Sequence, residues 1–446
     1  MTALPGAPYI GWRGSHLYIE GVSLETLAST HATPLYVYSR QAMLSALGAY
    51  QRALVGRSHL VCYAIKANSN LAVLQTFAQA GCGFDIVSVG ELERVLAAGG
   101  EAAKVVFSGV GKRRDEMRRA LQAGVKCFNV ESQSELLTLS AVAVEARCRA
   151  AVSLRINPDV DARTHPYIST GLKSNKFGIA HGQALAAYQQ ASTLPGIEVV
   201  GIDCHIGSQI TEIGPYLDAL DRLLDLIEAL EAQGIRIGHL DVGGGLGITY
   251  TDETPPDAGE LVARLLERID ARGHGHRELL FEPGRSLVGN AGVLVTEVLV
   301  CKPGEQKNFC IVDAAMNDLV RPALYEAYMG IVPCTLRDGA GLVWDVVGPV
   351  CESGDWLGRD RRLNLQPGDR LAVLSAGAYA MSMASNYNSR PRAAEVMVDG
   401  ERSFVIRERE SVNELFARER LVPAPKPPAA AAPQGGAARL GRPGAG

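Results

Sequence analysis

The sequence predicts an α/β fold with an added β-domain: a (β/α)8 TIM-like barrel inserted in a mainly antiparallel β-domain that both chain ends form. Eight short β-branched or apolar runs recur between residues 61 and 285, each followed by a helical pattern, which is typical of consecutive βα units and a parallel sheet. This set occupies about 225 residues, close to the roughly 250 of a barrel. The segments on both sides are strand-like and lack the alternating helices.

At 446 residues the chain exceeds the roughly 100 to 200 of one typical domain, and its 47% hydrophobic and 21% charged residues suit a folded protein. Ala, Pro and Gly dominate after residue 422. Such a segment cannot build a core, so we expect a disordered tail, with a partner-binding segment as the alternative. The predicted organisation is 1–40 and 286–421 for the β-domain, 41–285 for the barrel and 422–446 for the tail.

Charge and cysteine content exclude several classes of function. With 44 Lys and Arg against 48 Asp and Glu, the net charge is −4. Nothing therefore attracts the chain to nucleic acid or an anionic membrane, and the expected partner is a small molecule. The nine cysteines form no C-x-x-C pair, which favours a reducing compartment. The N-terminus resembles no export signal, so we expect a cytoplasmic protein.

The elements follow in order along the chain. LYVYS precedes the barrel as a strand of the β-domain. The barrel strands are VCYAIK from residue 61, GFDIVS from 83, VVFSG from 105, CFNVES from 127, AVSLRINP from 151, VVGIDCHIGS from 199, HLDVGGG from 239 and LLFEPGR from 279. Ser88 and Ser132 begin helices with the S-x-x-E spacing of a capping box, and a helix over 217–230 ends before Gly234. The later β-domain strands are VLVTEVLVC, NFCIVDAA, GLVWDVVGPV, DRLAVLSA and AEVMVDG.

Polar residues follow most barrel strands, at the edge where such barrels carry their chemistry. They are Lys66, Asp85, Ser88, Arg155, Asn157, His205, Ser208, Gly243, Gly244, Gly245, Glu282 and Arg285. Lys66 follows an apolar strand, where desolvation favours a neutral amine that forms a Schiff base. The glycines offer N–H groups and Ser208 a hydroxyl to a phosphate, and Glu282 offers a carboxylate to a protonated ring nitrogen. Together these groups indicate pyridoxal 5'-phosphate.

Each of these residues also has a purely structural interpretation. A lysine at a strand end commonly extends its amine to water, and glycine runs form tight turns. A lone histidine such as His205 is commonly a hydrogen-bonded core residue, although its strand-end position favours a ring stacked on the cofactor. No metal site is predicted, because the nine histidines form no H-x-x-x-H or H-E-x-x-H pattern.

From about His31 to Phe416 the sequence closely resembles the diaminopimelate decarboxylases, which belong to the fold-type III pyridoxal-phosphate enzymes with ornithine and arginine decarboxylases and alanine racemase. The motifs that carry the resemblance are YAIKAN, FDIVSVGELE, LRINPDVDARTHPYISTGLKSNKFGI, HIGSQI, DVGGGLGI, EPGR, RPALYEAY, GPVCESGD and GAYAMSMASNYNSRPR, in the expected order. Met329 is a departure, because several relatives carry histidine there, and the tail lies outside the family pattern.

The resemblance implies roles for the candidate residues. Cofactor contacts are implied for Lys66, Asp85, Arg155, His205, Ser208, Gly243, Gly244, Gly245, Glu282, Gly284, Arg285 and Tyr379. Substrate contacts are implied for Arg285, Arg321, Tyr325, Glu352 and Tyr379. Cys351 is implied as a proton donor to the site of a neighbouring subunit, in a homodimer whose catalytic residues are Lys66, Cys351 and His205. By residue type alone, Cys351 would be one more buried thiol.

The implied reaction is decarboxylation of meso-2,6-diaminopimelate at its D-centre to L-lysine and carbon dioxide, the last step of lysine biosynthesis. Ornithine, arginine or a carboxy-polyamine are alternative substrates on the same scaffold, but they lack the second carboxylate that Arg285 and Arg321 can bind. Arg321 also has a structural interpretation, as an ion pair of the surface or between domains. A non-catalytic relative is the other alternative, which the presence of Lys66 and Cys351 disfavours.

Overall fold

The computed structural model describes residues 3–161, 175–423 and 444. Most of the tail predicted from residue 422 lies outside them, as does the centre of the motif that begins at Leu154. The first elements are β1 (Ile10–Arg13), β2 (His16–Ile19), β3 (Val22–Ser23), α1 (Leu24–His31), β4 (Leu35–Ser39) and α2 (Arg40–Ala53). Strands β1 to β3 form a small antiparallel sheet of their own.

All eight predicted barrel strands are present and parallel. The strands of this region are β5 (His59–Ala64), β6 (Gly83–Ile86), β7 (Val105–Phe107), β8 (Cys127–Val130), β9 (Ala150–Asn157), the short β10 (Ile179–Ala180), β11 (Ile197–Asp203), β12 (His239–Asp241) and β13 (Glu278–Phe281). Strand β13 pairs with β5, and β8 pairs with β9, which closes the barrel. The barrel prediction is confirmed.

The barrel helices lie between these strands. They are α3 (Leu71–Gln79), α4 (Val89–Ala97), α5 (Arg114–Ala123), α6 (Gln133–Glu145), α7 (His181–Thr193), α8 (Gly214–Glu231), α9 (Ala258–Ala271) and the short α10 (Arg285–Val288). The Ser88 hydroxyl accepts the N–H of Glu91 at 3.2 Å, so the first half of that capping box is present. The Glu91 carboxylate accepts from Val87 at 2.6 Å, one residue before the cap.

Both chain ends build the β-domain, as predicted. Its later elements are β14 (Gly292–Lys302), β15 (Phe309–Val312), α11 (Arg321–Tyr325), β16 (Ile331–Pro333), β17 (Leu342–Val347), β18 (Trp356–Leu363), β19 (Arg370–Val373), β20 (Ala394–Asp399) and β21 (Arg402–Arg407). The N-terminal strand β4 lies between β14 and β20. The pairings are mainly antiparallel, but β4 with β20 and β15 with β17 are parallel.

One continuous apolar core joins the barrel to the β-domain. It contains side chains of both, from Phe84 and Phe107 in the barrel strands to Tyr36 and Leu371 in the β-domain. The interface therefore holds the carboxyl ends of the barrel strands against the β-domain, which places residues of both at one site. In the ranges given above, no helix has the length and apolar content needed to cross a bilayer.

Candidate active site

Lys66 lies at the mouth of the barrel, on a 3-10 turn, Ile65–Ala67, that directly follows β5. Its Nζ donates to Oδ2 of Asp85 in β6 at 2.8 Å; the lysine side chain is 36% exposed and that of Asp85 fully buried. Burial lowers the pKa of Lys66, but nearby charges, Asp85 first, outweigh it and raise the pKa above its usual value. The buried carboxylate thus favours the protonated amine in the protein without a ligand, and the Schiff-base role of Lys66 stays a prediction.

Three further carboxyl groups meet inside the barrel. Asp203, Asp241 and Glu282 place carboxylate oxygens within 4.8 Å of one another, and all three are buried. Among the described residues, no Lys or Arg pairs with them. Burial raises the pKa of each, that of Asp241 to about 7, because neighbouring carboxylates cannot all ionise away from water. Glu282 Oε1 also accepts from Asn129 Nδ2 at 3.0 Å.

Arg155 and His205 lie beside this cluster, in β9 and after β11. Arg155 Nη1 donates to the buried Glu131 carboxylate at 2.9 Å. His205 Nδ1 accepts the N–H of Gly244 at 3.1 Å. Burial lowers the pKa of His205 well below its usual value, and the charges of Arg155 and Lys66 lower it further. The imidazole is therefore neutral and is held by the glycine loop.

The glycine loop after β12 is shaped by close packing. Gly243 donates its N–H to Asp241 Oδ1 at 2.9 Å, and Gly244 donates to His205, so two of the three loop amides are engaged within the protein. A Cβ atom on Gly244 would lie 2.0 Å from the carbonyl oxygen of Glu282. Only glycine therefore lets the loop pass against the end of β13. Its phosphate-binding role stays a prediction.

Arg285, the first residue of α10, is buried and contacts polar and aromatic side chains. Its Nη2 donates to the Ser208 hydroxyl at 3.0 Å and its Nη1 to the Tyr250 hydroxyl at 2.6 Å. The guanidinium lies 4.8 Å from the centre of the Tyr379 ring. Tyr379 in turn donates its N–H to the carbonyl oxygen of Ala67 at 2.8 Å, so the arginine and lysine regions are in contact.

Arg321 of the β-domain lies next to Arg285. The two guanidinium groups lie 5.7 and 5.9 Å from the centre of one ring, that of Tyr250, and Arg321 also lies 5.4 Å from the Tyr325 ring. Arg321 is 6% exposed, and its Nε has no hydrogen-bond partner. Burial lowers its pKa, and the charge of Arg285 lowers it further. Within the part of the chain that is described, neither arginine has a carboxylate partner, so the pair is suited to an anion.

Cys351 and Glu352 lie in an exposed loop after β17. The N–H of Cys351 donates to Asn388 Oδ1 at 2.9 Å, and the Tyr387 hydroxyl donates to Glu352, which raises the pKa of Tyr387. Cys351 is exposed, which differs from the buried thiol that its residue type suggests. Both contacts lie within the β-domain. A single chain therefore brings most of the predicted site residues together at the barrel mouth, but Cys351 and Glu352 lie apart from the barrel of their own chain.

Several residues of the site were not predicted. They are Asn129, Glu131, Asp203, Asp241 and Tyr250. Strand periodicity is the signal for four of them, because alternate residues face the same side of a strand. Asp203 and Asp241 each stand two residues before a predicted residue, and Asn129 and Glu131 alternate in the fourth strand. Tyr250 lies in a loop and has no such signal.

Comparisons with known proteins show which family the chain resembles. Residues 41–289 match the family model of the pyridoxal binding domain of pyridoxal-dependent decarboxylases. The diaminopimelate decarboxylase of Pseudomonas aeruginosa is 59% identical over 412 residues, 92% of this chain and 99% of that relative. The one of Vibrio cholerae is 58% identical over 407 residues, 91% and 97% of the two chains.

Solved structures give the same result. A crystal structure of diaminopimelate decarboxylase from Helicobacter pylori complexed with L-lysine is 42% identical, with a TM-score of 0.85, over 88% of this chain and 98% of that one. The enzyme from M. jannaschii in co-complex with L-lysine is 38% identical, with a TM-score of 0.88, over 94% and 99% of the two chains.

Proposed function

The chain belongs to the diaminopimelate decarboxylase family of pyridoxal-dependent decarboxylases, and we propose that the buried residues described above carry out its reaction in the following roles. The reaction is decarboxylation of meso-2,6-diaminopimelate at its D-centre, which yields L-lysine and carbon dioxide. The cofactor is pyridoxal 5'-phosphate, which when bound draws electrons from the bonds at the amino-bearing carbon and so stabilises the charge left as carbon dioxide departs.

The carboxyl cluster suits the ring end of this cofactor. Glu282 is buried and lacks a cationic partner in the described ranges, and a protonated ring nitrogen would supply the missing positive charge. Lys66 would hold the cofactor covalently, with Asp85 orienting its amine through the 2.8 Å contact. The neutral ring of His205 would stack on the cofactor, and Arg155 would add a contact from the neighbouring strand.

The opposite end of the site suits a phosphate. The Ser208 hydroxyl, the loop Gly243–Gly245, Gly284 and the Tyr379 side chain would bind it, with Arg285 providing positive charge. Ser208 and Arg285 are already hydrogen-bonded to each other at 3.0 Å, so both groups are oriented before a ligand arrives. This preorganisation favours binding because fewer side chains have to be ordered.

In this proposal, the two buried arginines determine the substrate specificity. Arg285 and Arg321 share the Tyr250 ring and have no carboxylate partner among the described residues, so a substrate carboxylate can neutralise them. We assign the distal carboxylate of meso-diaminopimelate to these arginines with Tyr325 and Tyr379, and the distal ammonium to Glu352. Anchoring that end holds the reacting centre in position. Ornithine and arginine lack the second carboxylate and would leave the buried arginines unpaired.

Cys351 is the proposed proton donor to the carbon that loses carbon dioxide. Its loop is exposed and contacts its own β-domain, which supports a role in the site of a second subunit. The proposed assembly is therefore a homodimer in which each site combines the barrel of one subunit with Cys351 and Glu352 of the other. In each proposed site, Lys66 is the covalent anchor and Cys351 is the acid, and the two residues belong to different subunits.

The test is turnover of defined isomers. Purified protein with pyridoxal phosphate would be incubated with meso-, LL- or DD-diaminopimelate, ornithine or arginine, and carbon dioxide and lysine would be measured. The meso isomer should yield both products, and the LL isomer, which has no D-centre, should yield neither. Lys66→Ala protein is the control for background release. Faster release of carbon dioxide from ornithine or arginine than from the meso isomer would contradict the assignment.

A further inference from the structure

The β-domain holds the chain segment that carries Lys66 at successive points. Tyr379 donates its N–H to the carbonyl oxygen of Ala67 at 2.8 Å. Asn68 donates through Nδ2 to the carbonyl oxygen of Gly377 at 3.2 Å. Both contacts cross from the barrel to the β-domain immediately after the lysine, so the position of Lys66 depends on the domain that faces the barrel mouth.

A further contact joins this segment to a buried carboxylate. Asn70 is 3% exposed and caps α3, because its Oδ1 accepts the N–H of Ala72 at 2.9 Å. Its Nδ2 donates to Glu395 Oε2 in β20 at 2.9 Å. One side chain therefore starts the helix after the lysine and attaches it to the sheet of the β-domain.

Glu395 is fixed by the sheet itself. It is 1% exposed, and its Oε1 accepts from the Tyr38 hydroxyl of β4 at 2.8 Å. Arg407 of β21 donates to Oε2 through Nε and forms an ion pair with it. Both neighbouring strands thus hold the carboxylate, and its bonds are charge-assisted, which makes them stronger than neutral ones. Of the described residues that donate hydrogen bonds to the Glu395 carboxylate, Asn70 is the one that belongs to the barrel.

We propose that Glu395 is a positioning residue for Lys66, which acts through Asn70 to fix the end of the lysine segment against the β-domain. The side chain of Lys66 is partly exposed and has Asp85 as its ion-pair partner, so the backbone must supply much of its placement. Without the Asn70 amide, the segment would keep its upstream contacts, from Tyr379 and Ser382 to Ala67 and from Asn68 to Gly377, and lose the downstream one. The inference rests on the proposed covalent role of Lys66.

The experiment compares two substitutions on the same helix. Asn70→Ser keeps a hydroxyl that caps α3 and removes the amide that donates to Glu395 and, at 3.2 Å, to the carbonyl oxygen of Ile406 in β21. Thr76→Val is the matched control: the buried Thr76 hydroxyl on α3 donates to the Ala72 carbonyl oxygen at 2.8 Å and lies 3.8 Å from the Met397 sulfur of β20, and neither partner is charged. The dissociation constant of pyridoxal phosphate from the holoenzyme would be measured by equilibrium dialysis and visible absorbance. Asn70→Ser should raise it by about tenfold, the effect of one charge-assisted hydrogen bond, and Thr76→Val should leave it unchanged.

Glu395→Gln completes a double-mutant cycle with Asn70→Ser. If Glu395 acts through Asn70, the second substitution should change the dissociation constant little once the first is present. Independent effects that multiply would overturn the inference, and so would an Asn70→Ser protein that binds the cofactor as tightly as the wild type. If Glu395→Gln does not fold, the comparison of Asn70→Ser with Thr76→Val decides alone. A wild-type protein that does not bind the cofactor at Lys66 would contradict the proposed function instead.

Discussion

Replacing Asp241 by Asn should change how the stability of the cofactor-free protein depends on pH. Asp241 is fully buried, accepts from Gly243 through Oδ1, and lies within 4.8 Å of the carboxyl groups of Asp203 and Glu282. An asparagine keeps an acceptor for Gly243 and can donate its amide to Glu282. It has no proton to lose, so it removes one titrating group without removing the hydrogen bond.

The size of the effect follows from the pKa of Asp241, which burial raises from 3.8 to about 7. A carboxyl group whose pKa is raised in the folded state binds its proton more tightly there than in the unfolded chain. Its stabilising contribution is therefore complete below about pH 4 and is lost as the pH rises to about 7. One pH unit well below the folded-state pKa is worth about 1.4 kcal/mol, and the slope falls as that pKa is passed, so between pH 5.5 and 7.5 Asp241 alone removes about 2 kcal/mol of unfolding free energy.

Urea unfolding of cofactor-free protein at pH 5.5, 6.5 and 7.5 measures this loss. Relative to the wild type, Asp241→Asn should gain about 2 kcal/mol in unfolding free energy from the lowest pH to the highest. Asp218→Asn, at an exposed position of α8, is the control and should follow the wild-type curve. Parallel curves for Asp241→Asn and the wild type would refute the reasoning, because they would mean that Asp241 is already ionised at pH 5.5.

Three further predictions concern the proposed roles. Lys66→Ala should abolish the visible absorbance of the bound cofactor, and borohydride followed by peptide mass spectrometry should locate the reduced cofactor on Lys66 of the wild type; another labelled lysine would contradict the site. Mixing inactive Lys66→Ala and Cys351→Ala subunits should restore activity, since a heterodimer regains one complete site, and no recovery despite confirmed subunit exchange would exclude shared sites. Arg321→Ala should lower kcat/KM for meso-diaminopimelate by at least about tenfold. The rate at which the protein decarboxylates lysine, which lacks the distal carboxylate, should fall much less. Equal losses on the two substrates would show that Arg321 supports the fold or the cofactor.

Local sequence patterns were sufficient to predict the barrel and most of its strand ends. Eight apolar runs with helices between them specify parallel strands, and the residue after each run must lie at the carboxyl edge of the barrel. Lys66, Asp85, His205 and Glu282 could therefore be assigned to one site from their positions in the chain. The strand-like ends likewise indicated a second domain, although their order in its sheet was not predictable.

Strand period and chain order are local properties, and they are enough to predict which side chains reach the barrel mouth. The charge and the partners of these side chains depend on contacts that form when the chain folds. The pKa of Lys66 is raised because Asp85 of the next strand lies 2.8 Å away, and the pKa of Asp241 is raised to about 7, first by burial and then by the charge of Asp85. Arg285 and Arg321 lie against one ring, that of Tyr250, because the β-domain packs over the barrel mouth. Ionisation depends on distance and burial, and neither can be obtained from spacing along the chain.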